Sequence, residues 1–218
     1  MRRAVIAIFL YLCRHTKKKR IMINLAIFAS GEGTNAENIL HHLCGNPDIK
    51  VVLLVASKPG IGAIARAEKF GVPTCCVRRA EWEQQDEVLS LLRRHEVDGI
   101  VLSGFLVRVP EYLVDAYAGR IVNIHPALLP KHGGKGMYGH YVHEDVLRCG
   151  DKESGITIHL VNGELDAGEP LFQAKCPVMP DDTPDTLASR VHELEYKHFP
   201  DVIIGWATSI GKRTENQA

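Results

Sequence analysis

From Ile23 onward the chain alternates short apolar runs with amphipathic stretches. The runs at 23–29, 51–56, 73–77, 99–102 and 121–124 are almost continuously apolar, which predicts strands buried on both faces of a sheet. Between them, the segments 36–43, 63–70, 82–95 and 110–117 carry the spacing of helices with one apolar face. Strand and helix alternating at this interval predict right-handed crossovers and a parallel sheet.

The rhythm changes after Asn123. A loop rich in Gly and His at 126–139 leads into a helix ending near 147, and two more strands are predicted at 155–161 and 170–178. Both alternate more than the earlier runs, as expected of an antiparallel hairpin at a sheet edge. Asp182-Thr183-Pro184-Asp185 is a start signal for a final helix, with proline in its first turn. The predicted fold is α/β: a Rossmann-like, mostly parallel sheet with helices on both faces and a C-terminal antiparallel edge hairpin. It occupies 23–210 as one domain, with a leader at 1–22 and an unfolded tail at 211–218.

Composition adds the broad class. At 218 residues, with 45% hydrophobic and 24% charged residues, the chain has enough apolar content for one full core. Its 6 cysteines, at positions 13, 44, 75, 76, 149 and 176, form no C-x-x-C pair, which predicts reduced thiols in a cytoplasmic protein. The net charge is zero, but residues 1–21 hold seven basic side chains and no acidic one, so the rest of the chain is seven charges negative. A body of that sign is a poor partner for nucleic acid or an anionic membrane. The apolar stretch 4–13 behind Arg2 and Arg3 has the start of a signal peptide but no small-residue cleavage site, and it is too short to span a bilayer. Met22 is the expected opening of the folded part.

Three clusters carry chemistry. The first strand runs into Ser30-Gly31-Glu32-Gly33-Thr34-Asn35 and then a helix, where free N–H groups and the helix dipole favour a phosphate. The third glycine of a dinucleotide fingerprint is missing, and no acid closes the next strand near Ser57, which argues against nicotinamide binding. Asn123 and His125, two apart at the end of the fifth strand, project to one side of the sheet where open α/β sheets bind ligands. An amide beside an imidazole can donate to an oxyanion; alternatively the pair ties down the turn at Pro126. The third cluster is His159 with Asn162 to Gly168, where Asp166 gains weight only if the fold carries it to His125.

These residues resemble one family. Ser30 to Asn35, Ser103-Gly104-Phe105-Leu106, the run Ala118 to Lys131 with Asn123-Ile124-His125-Pro126 and Leu128-Leu129-Pro130 in it, Gly155 to His159, and Leu165-Asp166-Ala167-Gly168 are together similar to the phosphoribosylglycinamide formyltransferases. The likeness covers about 23–207. It implies transfer of a formyl group from 10-formyltetrahydrofolate, as co-substrate, to the amine of glycinamide ribonucleotide in purine synthesis, with no metal. It further implies Asn123, His125 and Asp166 as catalytic residues, with Asp166 raising the His125 pKa so that a protonated imidazole donates to the oxyanion. Gly33, Thr34, Asn35 and the stretch His192, Glu193, Leu194, Glu195 are implied for the ribonucleotide. Leu106, Val107, Arg108, Val109, Asn123, His159, Asn162, Gly163, Glu164, Leu165 and Asp166 are implied around the folate, with His159 and Thr157 also supporting the catalytic positions.

Some positions depart from the family pattern. Val107 stands where many relatives carry a basic residue, no Arg appears near Gln84 and Gln85, and Glu32 adds a negative charge beside the phosphate loop. The loop 132–140 is longer than in some relatives, and its glycines predict a lid. Hydrolase and tRNA-directed relatives add a further domain, and the expectation here is the single-domain enzyme, as a monomer or homodimer. A non-catalytic nucleotide sensor would not need Asn123, His125 and Asp166 to converge. A metal centre among His132, His140 and His143 lacks an evident Cys or carboxylate to complete it, and solvated loop histidines are the simpler expectation.

Overall fold

A computed structural model describes residues 22–215. Seven strands form one sheet: β1 (Ile23–Ala29), β2 (Ile49–Ala56), β3 (Thr74–Cys76), β4 (Gly99–Ser103), β5 (Ile121–His125), β6 (Glu153–Leu160) and β7 (Pro170–Pro177). Their spatial order is β3-β2-β1-β4-β5-β6-β7. The first five run parallel, and β6 and β7 are antiparallel to their neighbours. The helices are α1 (Thr34–Leu43), α2 (Gly62–Lys69), α3 (Gln85–Arg94), α4 (Glu111–Ala116), α5 (His140–Cys149) and α6 (Pro184–Glu215). The α/β class, the mostly parallel sheet and the C-terminal antiparallel strands are as predicted. The leader at 1–21 lies outside the described residues.

Period-two alternation explains the double-sided burial. Leu25, Ile27 and Ala29 of β1 join one core with residues of α1, α2 and α6, while Ala26 and Phe28 join a second core with Trp82, Val88, Leu92 and Leu113. Helices therefore cover both faces.

Four details differ from the sequence pattern. The single helix expected at 82–95 is a 3-10 turn at Glu81–Glu83 followed by α3, and the break lets buried Trp82 pack on Phe28 and Phe105 with ring centroids 5.4 Å apart. β6 does not alternate: it lies between β5 and β7 and is buried from Ser154 to His159, so only β7 shows an edge pattern. Helix α6 continues through Glu215, past the expected end at 210. It also contains Pro200, which has no N–H to offer the carbonyl of Tyr196 four residues before it. That carbonyl instead accepts from Asn38 Nδ2 of α1 at 2.8 Å, so the interruption in one helix anchors another.

The start of α6 is as expected. Thr183 Oγ1 accepts from the Thr186 N–H at 3.3 Å, and Asp182 accepts from the Met179 N–H at 2.7 Å and from both Arg190 nitrogens at 2.7 and 3.0 Å. The hairpin between β6 and β7 turns on Gly168, where a Cβ would meet the Leu160 carbonyl oxygen at 1.7 Å. Gly168→Ala is expected to lower unfolding free energy by about 1–3 kcal/mol, the ordinary cost of forcing atoms into a packed site, read from a shifted denaturant midpoint.

Candidate active site

The strand order reverses beside β1, and the carboxyl ends of β1, β4 and β5 open there into a cleft of about 850 Å³. Helix α1 starts at its floor. Gly33 precedes it with φ 75°, and a Cβ at that position would meet Ala63 Cα at 2.5 Å, so both backbone and packing require glycine. The N-cap makes no side-chain hydrogen bond, so the first N–H groups of α1 remain available to an anion. The Glu32 carboxylate lies against Gly62 at the start of α2, where a Cβ would meet its Oε2 at 2.7 Å.

Two distant segments meet at this helix start. Asn35 Nδ2 donates to Glu195 Oε2 at 2.8 Å, and the same oxygen accepts from His192 Nδ1 at 2.8 Å. Thr34 Oγ1 is 3.5 Å from His192 Nε2, and Asn35 Oδ1 is buried without a partner. Glu193 and Leu194, expected here, are not among the cleft-lining residues. On a helix, residues three apart share a face, so His192 and Glu195 point inward together while Glu193 is exposed and Leu194 packs on the core.

The far wall is built by register. Antiparallel pairing sets Asn123 opposite His159 and His125 opposite Thr157. Asn123 Nδ2 lies 3.1 Å from His159 Nε2, and His159 Nδ1 is 2.8 Å from the Leu160 carbonyl. A carbonyl only accepts, so Nδ1 carries a proton, and Nε2 is the ring atom that meets the Asn123 amide. Thr157 does not line the cleft; its hydroxyl donates to the Ala127 carbonyl at 2.7 Å and accepts from the Leu129 N–H at 3.0 Å, holding the loop that follows β5.

Asp166 is brought to this wall by the hairpin and has φ 53°. Its Oδ2 lies 3.6 Å from His125 Nδ1 and accepts from the Gly134 N–H at 2.9 Å, and its Oδ1 lies 3.7 Å from His159 Nε2. The other nitrogen of His125, Nε2, donates to the His132 carbonyl at 2.8 Å. Asn123, His125 and Asp166 thus converge on one wall of the cleft. Two further segments face it: Leu106 to Val109 and Asn162 to Asp166 line the opening, and Arg108 donates to the Gly163 carbonyl at 3.2 Å between them. The Leu106 segment is held by its own N–H donating to Ser30 Oγ at 2.9 Å.

A family model described as formyl transferase matches residues 23–203. The chain belongs to the formyltransferase family. It is 37% identical over 187 residues to a phosphoribosylglycinamide formyltransferase of Bacillus subtilis, covering 84% of this chain and 93% of that protein. It is 42% identical over 186 residues to the chloroplastic phosphoribosylglycinamide formyltransferase of Arabidopsis thaliana, with 82% of this chain covered. That match spans 63% of the plant protein's length. The fold is similar to the crystal structure of glycinamide ribonucleotide transformylase 1 from Geobacillus kaustophilus, with a TM-score of 0.76 at 34% identity over 84% of this chain and 97% of that one. Among the described residues of this formyltransferase, no helix is long and apolar enough to cross a membrane.

The electrostatics of the formyltransferase site correct one expectation. Burial pushes the His125 imidazole below its ordinary value, and this outweighs Asp166 and the His132 carbonyl, which pull it upward. For Asp166, burial pushes the carboxyl up, but His159, His125 and the Gly134 N–H outweigh it and leave the pKa lowered. The expected protonated His125 is therefore replaced by a neutral ring beside an ionised Asp166.

Two histidines expected to be solvated are buried instead. His143, 5% exposed, lines the cleft from α5 with its Nδ1 unpartnered, and burial lowers its pKa. Its signal was the spacing of three from His140, which places both on the cleft side of α5. His132 is not a solvated loop residue: its ring meets Asp145 and Asp151, and with Asp145 and Cys149 it offers three ligand atoms within 4.8 Å. Both ring nitrogens face carboxylates, however, so the ring is already engaged.

A pKa depressed by folding means that the unfolded chain binds the proton more tightly. His125 therefore removes stability as pH falls below about 6.5, and Asp166 does so again as pH falls below about 3.9. In an NMR titration, His125 is expected to titrate below the free imidazole value. Asp166→Asn is expected to lower it further, because the neighbouring anion that favours the imidazolium is gone; an upward move would contradict the assigned contact.

Proposed function

We propose that this formyltransferase transfers the formyl group of 10-formyltetrahydrofolate to the amine of glycinamide ribonucleotide, and that Asn123, His125 and Asp166 carry the chemistry. The observation that carries the reading is the convergence of those three side chains across the cleft from an uncapped helix N-terminus. A sensor that only bound a nucleotide would have no use for the second half of that arrangement.

In this reading the ribonucleotide phosphate sits against the first N–H groups of α1 at Gly33, Thr34 and Asn35. Glu195, with His192 beside it, faces the ribose and glycinamide portion. The folate lies between the 106–109 and 162–166 segments, its formyl group near the end of β5. The amine lone pair attacks the formyl carbon, a C–N bond forms, and the carbonyl electrons move to oxygen. An amide carries two N–H groups; Asn123 gives one to His159 and has the other for the developing oxyanion.

Neutral His125, with Nε2–H bound to a carbonyl, offers the Nδ1 lone pair to the amine proton. Asp166 at 3.6 Å stabilises the imidazolium that forms. Collapse of the intermediate breaks the bond from carbon to folate N10, which takes the proton from His125 Nδ1. The products are tetrahydrofolate and formylglycinamide ribonucleotide. The neutral resting ring suits this cycle, because it begins by accepting a proton.

The test is the absorbance change on release of tetrahydrofolate, with glycinamide ribonucleotide present or absent. Turnover is expected only when both substrates are present. Release without the ribonucleotide would overturn transfer in favour of hydrolysis. Asn123→Ala is expected to lower kcat by about 10²–10³-fold, and His125→Ala by about 10²–10⁴-fold, with ribonucleotide affinity nearly unchanged. Full turnover in either variant would overturn its assigned role.

A further inference from the structure

We infer that His132 is a positioning residue for formyl transfer: its ring, held between Asp145 and Asp151, fixes the backbone carbonyl that sets which nitrogen of His125 carries the proton. The inference rests on the catalytic role proposed for His125.

The contacts form a continuous chain. His125 Nε2 lies 2.8 Å from the His132 carbonyl oxygen, which can only accept. The proton therefore sits on Nε2, and Nδ1 is left with its lone pair on the side of Asp166, itself a residue that lines the cleft. Without a fixed acceptor, a neutral imidazole can carry its proton on either nitrogen, and the form with Nδ1–H has no base to offer the amine.

The His132 carbonyl is held by the residue's own ring. Nδ1 is 2.7 Å from Asp145 Oδ2 and Nε2 is 3.0 Å from Asp151 Oδ2, and the side chain is 7% exposed. Both carboxyls are held below the usual carboxylate range, first by the hydrogen bonds from His132 itself and next by Arg148 on Asp145 and Lys131 on Asp151. Ionised carboxylates only accept, so the ring satisfies both by donating from both nitrogens. Lys131 Nζ reaches Asp151 at 3.0 and 3.1 Å, Arg148 pairs with Asp145, and the Cys149 thiol lies within 4.8 Å of His132 and Asp145.

The clamp ties three elements to one backbone atom. Asp145 lies on α5, Asp151 in the turn before β6, and His132 in the loop after β5, where it has φ 55°, a conformation rarely adopted by a residue with a Cβ. A ring anchored on one side could swing and carry the carbonyl with it. Anchored on both, it cannot turn without breaking a charge-assisted hydrogen bond. This is the arrangement by which a group with no contact to substrate governs a catalytic imidazole.

The test combines kinetics with ¹⁵N-histidine NMR, on the full chain at a pH above the His125 titration. In the wild type, His125 is expected to show the Nε2–H form. His132→Phe removes both anchors, and the double variant Asp145→Asn/Asp151→Asn removes the charges while keeping the ring, so one of them remains informative if the other fails to fold. Each is expected to lower kcat by about tenfold, with KM for both substrates within about twofold, and to give His125 a mixture of the two protonated forms. His132→Gln, whose amide still donates to one carboxylate, is expected to recover part of the loss.

A wild-type His125 protonated on Nδ1 would overturn the inference, as would variants in which kcat is unchanged or falls while Nε2–H persists. Full turnover in His125→Ala would instead overturn the catalytic reading on which it rests, and the two failures are read from different variants.

Discussion

The end of β5 is the constraint on which the cleft depends. This strand pairs in parallel with β4 on one side and antiparallel with β6 on the other. The parallel partner sets the strand's carboxyl end at the opening of the cleft, where the backbone turns away and side chains are free for a ligand. The antiparallel partner runs back along the same edge, so His159 faces Asn123 and Thr157 faces His125. A crossover connection would have left that edge bare or covered it with a helix. The hairpin of β6 and β7, laid against that edge, instead delivers side chains in register and, at its turn, brings Asp166 to His125.

That junction also explains the charge state of the site. Burying a histidine normally costs its charge, and His125 is 3% exposed. Asp166 is close enough to favour the imidazolium, yet at 3.6 Å it does not make a short hydrogen bond with it. The ring rests neutral with a carboxylate in reserve, and the stabilisation grows as the ring takes on charge. Differential stabilisation of this kind lowers a barrier, whereas a pair already fully ionised would be equally stable before and during reaction.

Most of the architecture was legible in the sequence because buried parallel strands are written as continuous apolar runs, and β1, β2, β4 and β5 all are. The meeting of Asn123, His125 and Asp166 was legible through the Asn-x-His-Pro and Leu-Asp-x-Gly stretches and their family resemblance, since alternation alone placed Asn123 and His125 together but could not bring Asp166 to them. What failed to show had identifiable physical causes. Glu193 and Leu194 were drawn in with His192 and Glu195 because a linear stretch ignores the rotation of a helix. The sign of the His125 shift depended on burial, which competes with the carboxylate and has no local sequence signature. The contacts of His132 join segments 13 and 19 residues apart, across a loop whose glycines gave no hint of a buried ring.

The proline in α6 has a wider meaning. Helices usually meet through side chains, because their backbone groups are spent internally. At Pro200 one carbonyl is left over, and Asn38 of α1 takes it. The long helix thus docks against its neighbour through a deficiency in its own ladder, one residue beyond Glu195, which holds the first turn of that same neighbour through Asn35. A chain with alanine at this position would have a better helix and a poorer socket, since the repaired ladder would compete for the acceptor. Local perfection and global fit are opposed here, and the floor of the cleft is built on the side of fit.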